Sequence, residues 1–86
     1  MPRFVAVHTA PISEAQLKQL ATTGQTPPGV HWVRTYSAFE DNKHFCEWVA
    51  PNKEVILEIF RQYNLPYDGL YQVRSFDPDV AQFEAG

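Results

Sequence analysis

His8 is the residue of this chain best placed to do chemistry. It closes the apolar run Phe4-Val5-Ala6-Val7 with a ring that titrates near neutrality and needs a partner once it is buried. Strand alternation puts His8 on one face with Phe4 and Ala6, and we expect that face to be the outer one, shared with Arg34, Tyr36 and Glu47. Those four side chains would form a small polar cluster in an apolar pocket. His8 would serve there as acid, base or metal ligand, and Arg34 would orient an anion. The competing account is structural: a strand-end histidine bonded to a carbonyl or a carboxylate.

The remaining candidates point less far. His31 and His44 show no spacing of a metal motif, and His44 flanks a polar hairpin tip where solvent is expected. Cys46 is the single cysteine, so no intramolecular disulfide forms, and it reads as a small buried hydrophobe rather than a nucleophile. The chain contains no Gly-rich phosphate loop, no Gly-x-Ser-x-Gly elbow and no Cys-x-x-Cys.

These residues must be carried by a long hairpin. The stretch 29–51, GVHWVRTYSAFEDNKHFCEWVAP, has two aromatic-rich runs around the tip Glu40-Asp41-Asn42-Lys43. If Tyr36 lies opposite Phe45, then Arg34 meets Glu47 as an ion pair and Trp32 meets Val49. His31, Val33, Thr35, Cys46, Trp48 and Ala50 then share the opposite face, taken as the one under the helices.

Around the hairpin, Arg3 to Thr9 reads as a strand. Ser13 with Gln16 is a capping-box pattern opening an amphipathic helix to Thr22, with Leu17, Leu20 and Ala21 on its apolar stripe. Asn52 caps a second helix, with Val55, Ile56, Ile59, Phe60 and Tyr63 on its apolar face. Asp68-Gly69 turns the chain into a last strand, Leu70 to Phe76. The order strand, helix, strand, strand, helix, strand predicts an α+β ferredoxin-like sandwich: a four-stranded antiparallel sheet with two helices on one face. Residues 1–78 form the single domain and 79–86 a C-terminal tail.

With Phe4, Trp32, Tyr36, Phe45 and Val49 assigned to the open face, that surface is too apolar for a monomer. A homodimer packed sheet to sheet is expected. At 86 residues and 44% hydrophobic content the chain is one globular domain. A net charge of −3 without a basic cluster argues against a nucleic-acid partner. No apolar stretch reaches the ~20 residues a membrane helix needs, and no secretory signal is recognisable, so a soluble cytoplasmic protein is expected.

His8-Thr9-Ala10-Pro11, Gly29-Val30 and, most specifically, Phe45-Cys46 with Ala50-Pro51 leading into a helix resemble a small bacterial ferredoxin-like family of unknown function, many of whose members are labelled nickel-binding proteins. The similarity runs from about Arg3 to Pro78. It implies the fold, a sheet-to-sheet association, and a role in holding a metal or a small ligand. Members with the nickel label tend to carry an acidic residue two before the strand histidine, another just before the Ala-Pro pair, and two histidines late in the second helix. Here those positions are Ala6, Val49, Phe60 and Asn64, so His8 is what remains of a metal set.

The sequence therefore leads to a dimeric small-ligand or weak metal-binding protein, with His8, Arg34, Tyr36 and Glu47 as candidate ligand contacts and His8 as the candidate metal ligand. No cofactor is expected unless nickel or another divalent metal binds at His8. The alternative is a cofactor-independent monooxygenase- or isomerase-like enzyme, with a pocket between sheet and helices or at the dimer interface.

Overall fold

Aromatic and β-branched residues on both sides of a polar tip draw the stretch 31–49 into a hairpin, as read from the sequence. In the computed structural model, which describes residues 1–84, its arms are β2 (His31–Ala38) and β3 (Lys43–Val49). A single 3-10 turn over Phe39–Asp41 joins them, and Asn42 takes the left-handed conformation at φ 51°. Tyr36 pairs with Phe45 and Arg34 with Glu47, as expected. β1 (Arg3–His8) pairs antiparallel with β3 on one side and with β4 (Gly69–Val73) on the other. The sheet order is β2-β3-β1-β4, the ferredoxin-like arrangement.

Local chemistry sets both helices. α1 (Glu14–Thr23) starts at a complete capping box: Gln16 N–H donates to the Ser13 hydroxyl and Ser13 N–H to the Gln16 side-chain oxygen. α2 (Lys53–Gln62) starts at Asn52, whose side chain accepts from Val55 N–H at 3.1 Å. Ile56, Ile59 and Phe60 of α2 are buried. They pack with Phe4, Ala6, Cys46, Trp48 and Leu70 in one core.

Two face assignments differ from the sequence expectation. Phe4, Ala6 and His8 are buried on the helix side, together with His44, Cys46 and Trp48, which pair with them across β1 and β3. Strand β1 is apolar on both faces, so alternation fixes which residues share a face but not which face is covered. Trp32 also turns inward. A bulge between Trp32 and Arg34 inserts a residue, so Trp32 opposes Trp48 rather than Val49, and His31 opposes Val49 instead. The Trp32 and Trp48 rings stack at 6.1 Å, 18° from parallel.

The last strand is shorter than expected and ends at Val73. Beyond it the tail folds back over its described residues: β5 (Phe76–Asp77) pairs with β6 (Gln82–Phe83), and the Phe76 and Phe83 rings meet edge-on at 5.1 Å. The Arg74 guanidinium lies 4.4 Å over the Phe83 ring. Residues 85 and 86 of that tail lie outside the described residues. Among the described residues no helix is long and apolar enough to cross a membrane.

Candidate functional site

The face corrections take the expected polar cluster apart. Arg34, Tyr36 and Glu47 remain on the outer face, and Glu47 is flanked by Arg34 at 3.6 Å and by Arg3 from β1. Arg3 went unnoticed in the sequence because its partner lies across a strand pairing that local spacing does not show. His8 lies on the other side of the sheet, fully buried. It cannot act together with Arg34 on one molecule. Tyr36 is exposed, opposite Phe45 on the outer face.

His8 is held by the structural bond anticipated as the competing account. Thr9 N–H and its hydroxyl both donate to Asp68 Oδ2, at 2.9 and 2.6 Å, and Asp68 N–H donates to the Val7 carbonyl at 2.7 Å. These bonds pin the chain before β4 against the end of β1, where the Pro66 carbonyl accepts from His8 Nδ1 at 2.8 Å. A carbonyl only accepts, so Nδ1 carries a proton and donates this bond. Nε2 has no partner among the described residues.

His44 is the second surprise. It was expected in solvent at the hairpin tip, yet it is fully buried, paired with His8 across the strands, under the Phe39 ring at 5.6 Å. Its Nδ1 lies 2.8 Å from the Ser37 hydroxyl, while Nε2 has no partner among the described residues. Burial first, then the neighbouring His8, hold its pKa below the ordinary 6.5. Two buried imidazoles with free Nε2 atoms are the nearest approach to a metal site here. Among the described residues, no three or more His, Cys, Asp or Glu side chains gather as ligands. Nickel asks for more imidazole or carboxylate ligands than this pair provides, so the residues do not fit it.

A different site lies at the other end of the same face. A cavity of about 280 Å³ opens between α1, α2 and the sheet. α1 lines it with Leu17, Leu20 and Ala21, and none of the α1 residues is buried. Ile59, Phe60 and Tyr63 form the α2 wall. Trp32, Cys46 and Trp48 form the sheet floor. The Tyr63 hydroxyl accepts from Gln25 N–H at 3.1 Å, tying the chain after α1 to the end of α2. In the floor, Trp32 Nε1–H donates to the Thr35 hydroxyl at 2.8 Å, and that hydroxyl donates to Cys46 Sγ at 3.1 Å. Burial pushes the Cys46 thiol pKa up, which keeps it protonated and poorly nucleophilic. The sequence offered one signal for this cavity: the apolar stripe of α1 is only three residues, Leu17, Leu20 and Ala21, too narrow to seal the sheet beneath it.

Comparison with known proteins places the chain. Among solved structures it is similar to SCO4226 from Streptomyces coelicolor A3(2), with a TM-score of 0.71 and 18% sequence identity, over 83% of this chain and 94% of that one. At that identity the likeness carries the fold. No curated protein matches the sequence. A family model described as nickel responsive protein SCO4226-like matches residues 4–73. That match runs from the first strand to the end of the fourth, and the chain belongs to the SCO4226-like family of nickel-responsive proteins.

Proposed function

We propose that this protein binds a small, largely apolar molecule in the cavity between α1, α2 and the sheet. One observation carries the reading: α1 is a well-capped amphipathic helix whose apolar stripe lines a cavity of about 280 Å³ instead of entering the core. An apolar stripe left without a packing partner forfeits burial worth roughly 25 cal/mol per Å², which a ligand would restore. Concave, mostly apolar sites with few polar groups are the usual form of small-molecule pockets. Leu20→Trp fills the cavity from α1 without touching the core. It is expected to leave the melting temperature nearly unchanged and to abolish binding of small aromatic probes measured by calorimetry. Undiminished binding in that variant would sink the reading.

The family label speaks of a response to nickel, and we propose that this chain holds no resident nickel ion. The support is the donor set, two imidazoles without a third ligand among the described residues. Native mass spectrometry after nickel loading and desalting is expected to show the metal-free mass, and stoichiometric retention would overturn this.

We further propose that the open sheet face pairs with a second copy. Tyr36, Tyr71 and Phe45 are 58%, 55% and 36% exposed there, beside half-buried Val5, Val7 and Val49. Glu47, central in that face, is matched by Arg3 and Arg34, so no lone carboxylate opposes self-association. Sedimentation at micromolar concentration is expected to give a dimer, and Phe45→Glu a monomer.

A further inference from the structure

Beyond the sheet, β5 and β6 make a hairpin closed by Glu84 N–H donating to the Ser75 carbonyl at 2.7 Å. So small a two-stranded unit is marginal in water by itself. None of residues 74–84 is buried, and Phe76, Val80 and Phe83 are each more than half exposed. Large apolar side chains set out on so short an arm mark a segment that docks elsewhere. The match to the family model stops at residue 73, so the arm lies beyond the frame the family shares. Resting on the dimer reading above, we propose that this arm crosses to a second copy and covers that copy's open sheet face, each protomer capping the other.

Charge names the occupant. Strand register and alternation put Arg3, Arg34 and Lys43 on the open face with Glu47 as its carboxylate. Arg3 and Arg34 already bracket Glu47, so the face keeps an excess of two positive charges on a chain of net charge −3. Two such faces brought together bare would repel. The arm has the opposite sign: Asp77, Asp79 and Glu84 outnumber Arg74 by two, and Arg74 is turned onto the Phe83 ring. Among the described residues none of those three carboxylates makes an ion pair. An acidic arm carrying two phenylalanines thus matches a basic face bearing Tyr36, Phe45 and Tyr71. β4 ends on that face at Val73, which pairs with Arg3, so the arm departs from the rim of the surface to be covered. It does not lie on its own face, where Tyr36, Phe45 and Tyr71 stay exposed while Phe76 and Phe83 meet each other. Reciprocal exchange about a two-fold axis covers both faces and balances both charges.

Sedimentation of the full chain across a salt series tests the exchange. Salt screens attraction between arm and face, so the dimer should loosen at least about 5-fold when NaCl rises from about 50 to about 500 mM. Bare faces meeting cation to cation would tighten instead, because salt screens their repulsion. Phe76→Ser combined with Phe83→Ser, both at exposed positions, should raise the dissociation constant at least about 10-fold and leave the far-UV circular dichroism unchanged. In a mixture of isotope-labelled and unlabelled chains, filtered NMR contacts should join Phe83 of one copy to the partner's Tyr36 or the partner's Tyr71. A dimer that tightens with salt, or one indifferent to the changes at Phe76 and Phe83, would overturn the exchange and leave the dimer reading standing. Contacts from Phe83 to Tyr36 within a single copy would do the same, since the arm would then cover its own sheet. A monomer at every concentration would overturn both.

Discussion

The two helices lie over the same face of the same sheet, have the same length and are both capped by side chains, yet they do different work. α2 buries Ile56, Ile59 and Phe60, whereas α1 buries nothing. Capping and amphipathicity suffice to form a helix, but it is the width of the apolar face that decides whether the helix belongs to the core. α2 carries five apolar residues on its face and closes the sheet. α1 carries three and roofs a void. On the proposed reading such a division separates stability from binding: one helix is spent on the fold and the other remains free to cover a ligand.

Substitutions in equivalent parts of the two helices should expose the division. The largest contrast is between Phe60→Ala and Leu17→Ala. Phe60 touches His8, Trp48 and Tyr67 through ring contacts, so its loss is expected to cost about 3–5 kcal/mol in urea unfolding. Leu17 is half-buried in α1 and should cost under about 1 kcal/mol. Similar losses at both sites would mean that α1 is as integral as α2. The caps repeat the comparison on a smaller scale. Asn52→Ala should lower global stability by about 1 kcal/mol. Ser13→Ala should fray α1 and shift global unfolding by a few tenths at most, although the two caps are chemically alike.

A milder prediction concerns pH and bears on the α2 half of the core, where the His8 ring packs on Phe60 at 5.1 Å. The folded protein holds the His44 pKa below 6.5, so the unfolded chain binds the proton more readily. Stability is then fully present above about pH 6.5 and falls as the pH drops below it. His44→Asn should flatten that slope in urea melts at pH values on either side of 6.5.

How much of this could be read from the sequence differs by level. Capping residues, the hairpin register at Tyr36, Phe45, Arg34 and Glu47, and the element order are local signals, and the structure bears them out. The facing of β1 and of Trp32 was not legible. The first depends on a strand run apolar on both sides, the second on a bulge that no residue type announces. The first of those errors assembled a site from His8, Arg34, Tyr36 and Glu47 that the sheet separates. The burial of His44 was hidden for a similar reason: proximity to a turn suggested solvent, while Phe39 and β1 cover it. The cavity was hidden because a void is a property of packing between elements, and Trp48, correctly placed under the helices, read as ordinary core.

Amide hydrogen exchange tests the division of labour most directly. In the free protein, amides of α1 are expected to exchange far faster than those of α2 and β3. With a small aromatic probe bound in the cavity, protection should rise in α1 and stay unchanged in α2. Equal protection of both helices in the free protein, or a bound state that leaves α1 exchanging as before, would contradict the account.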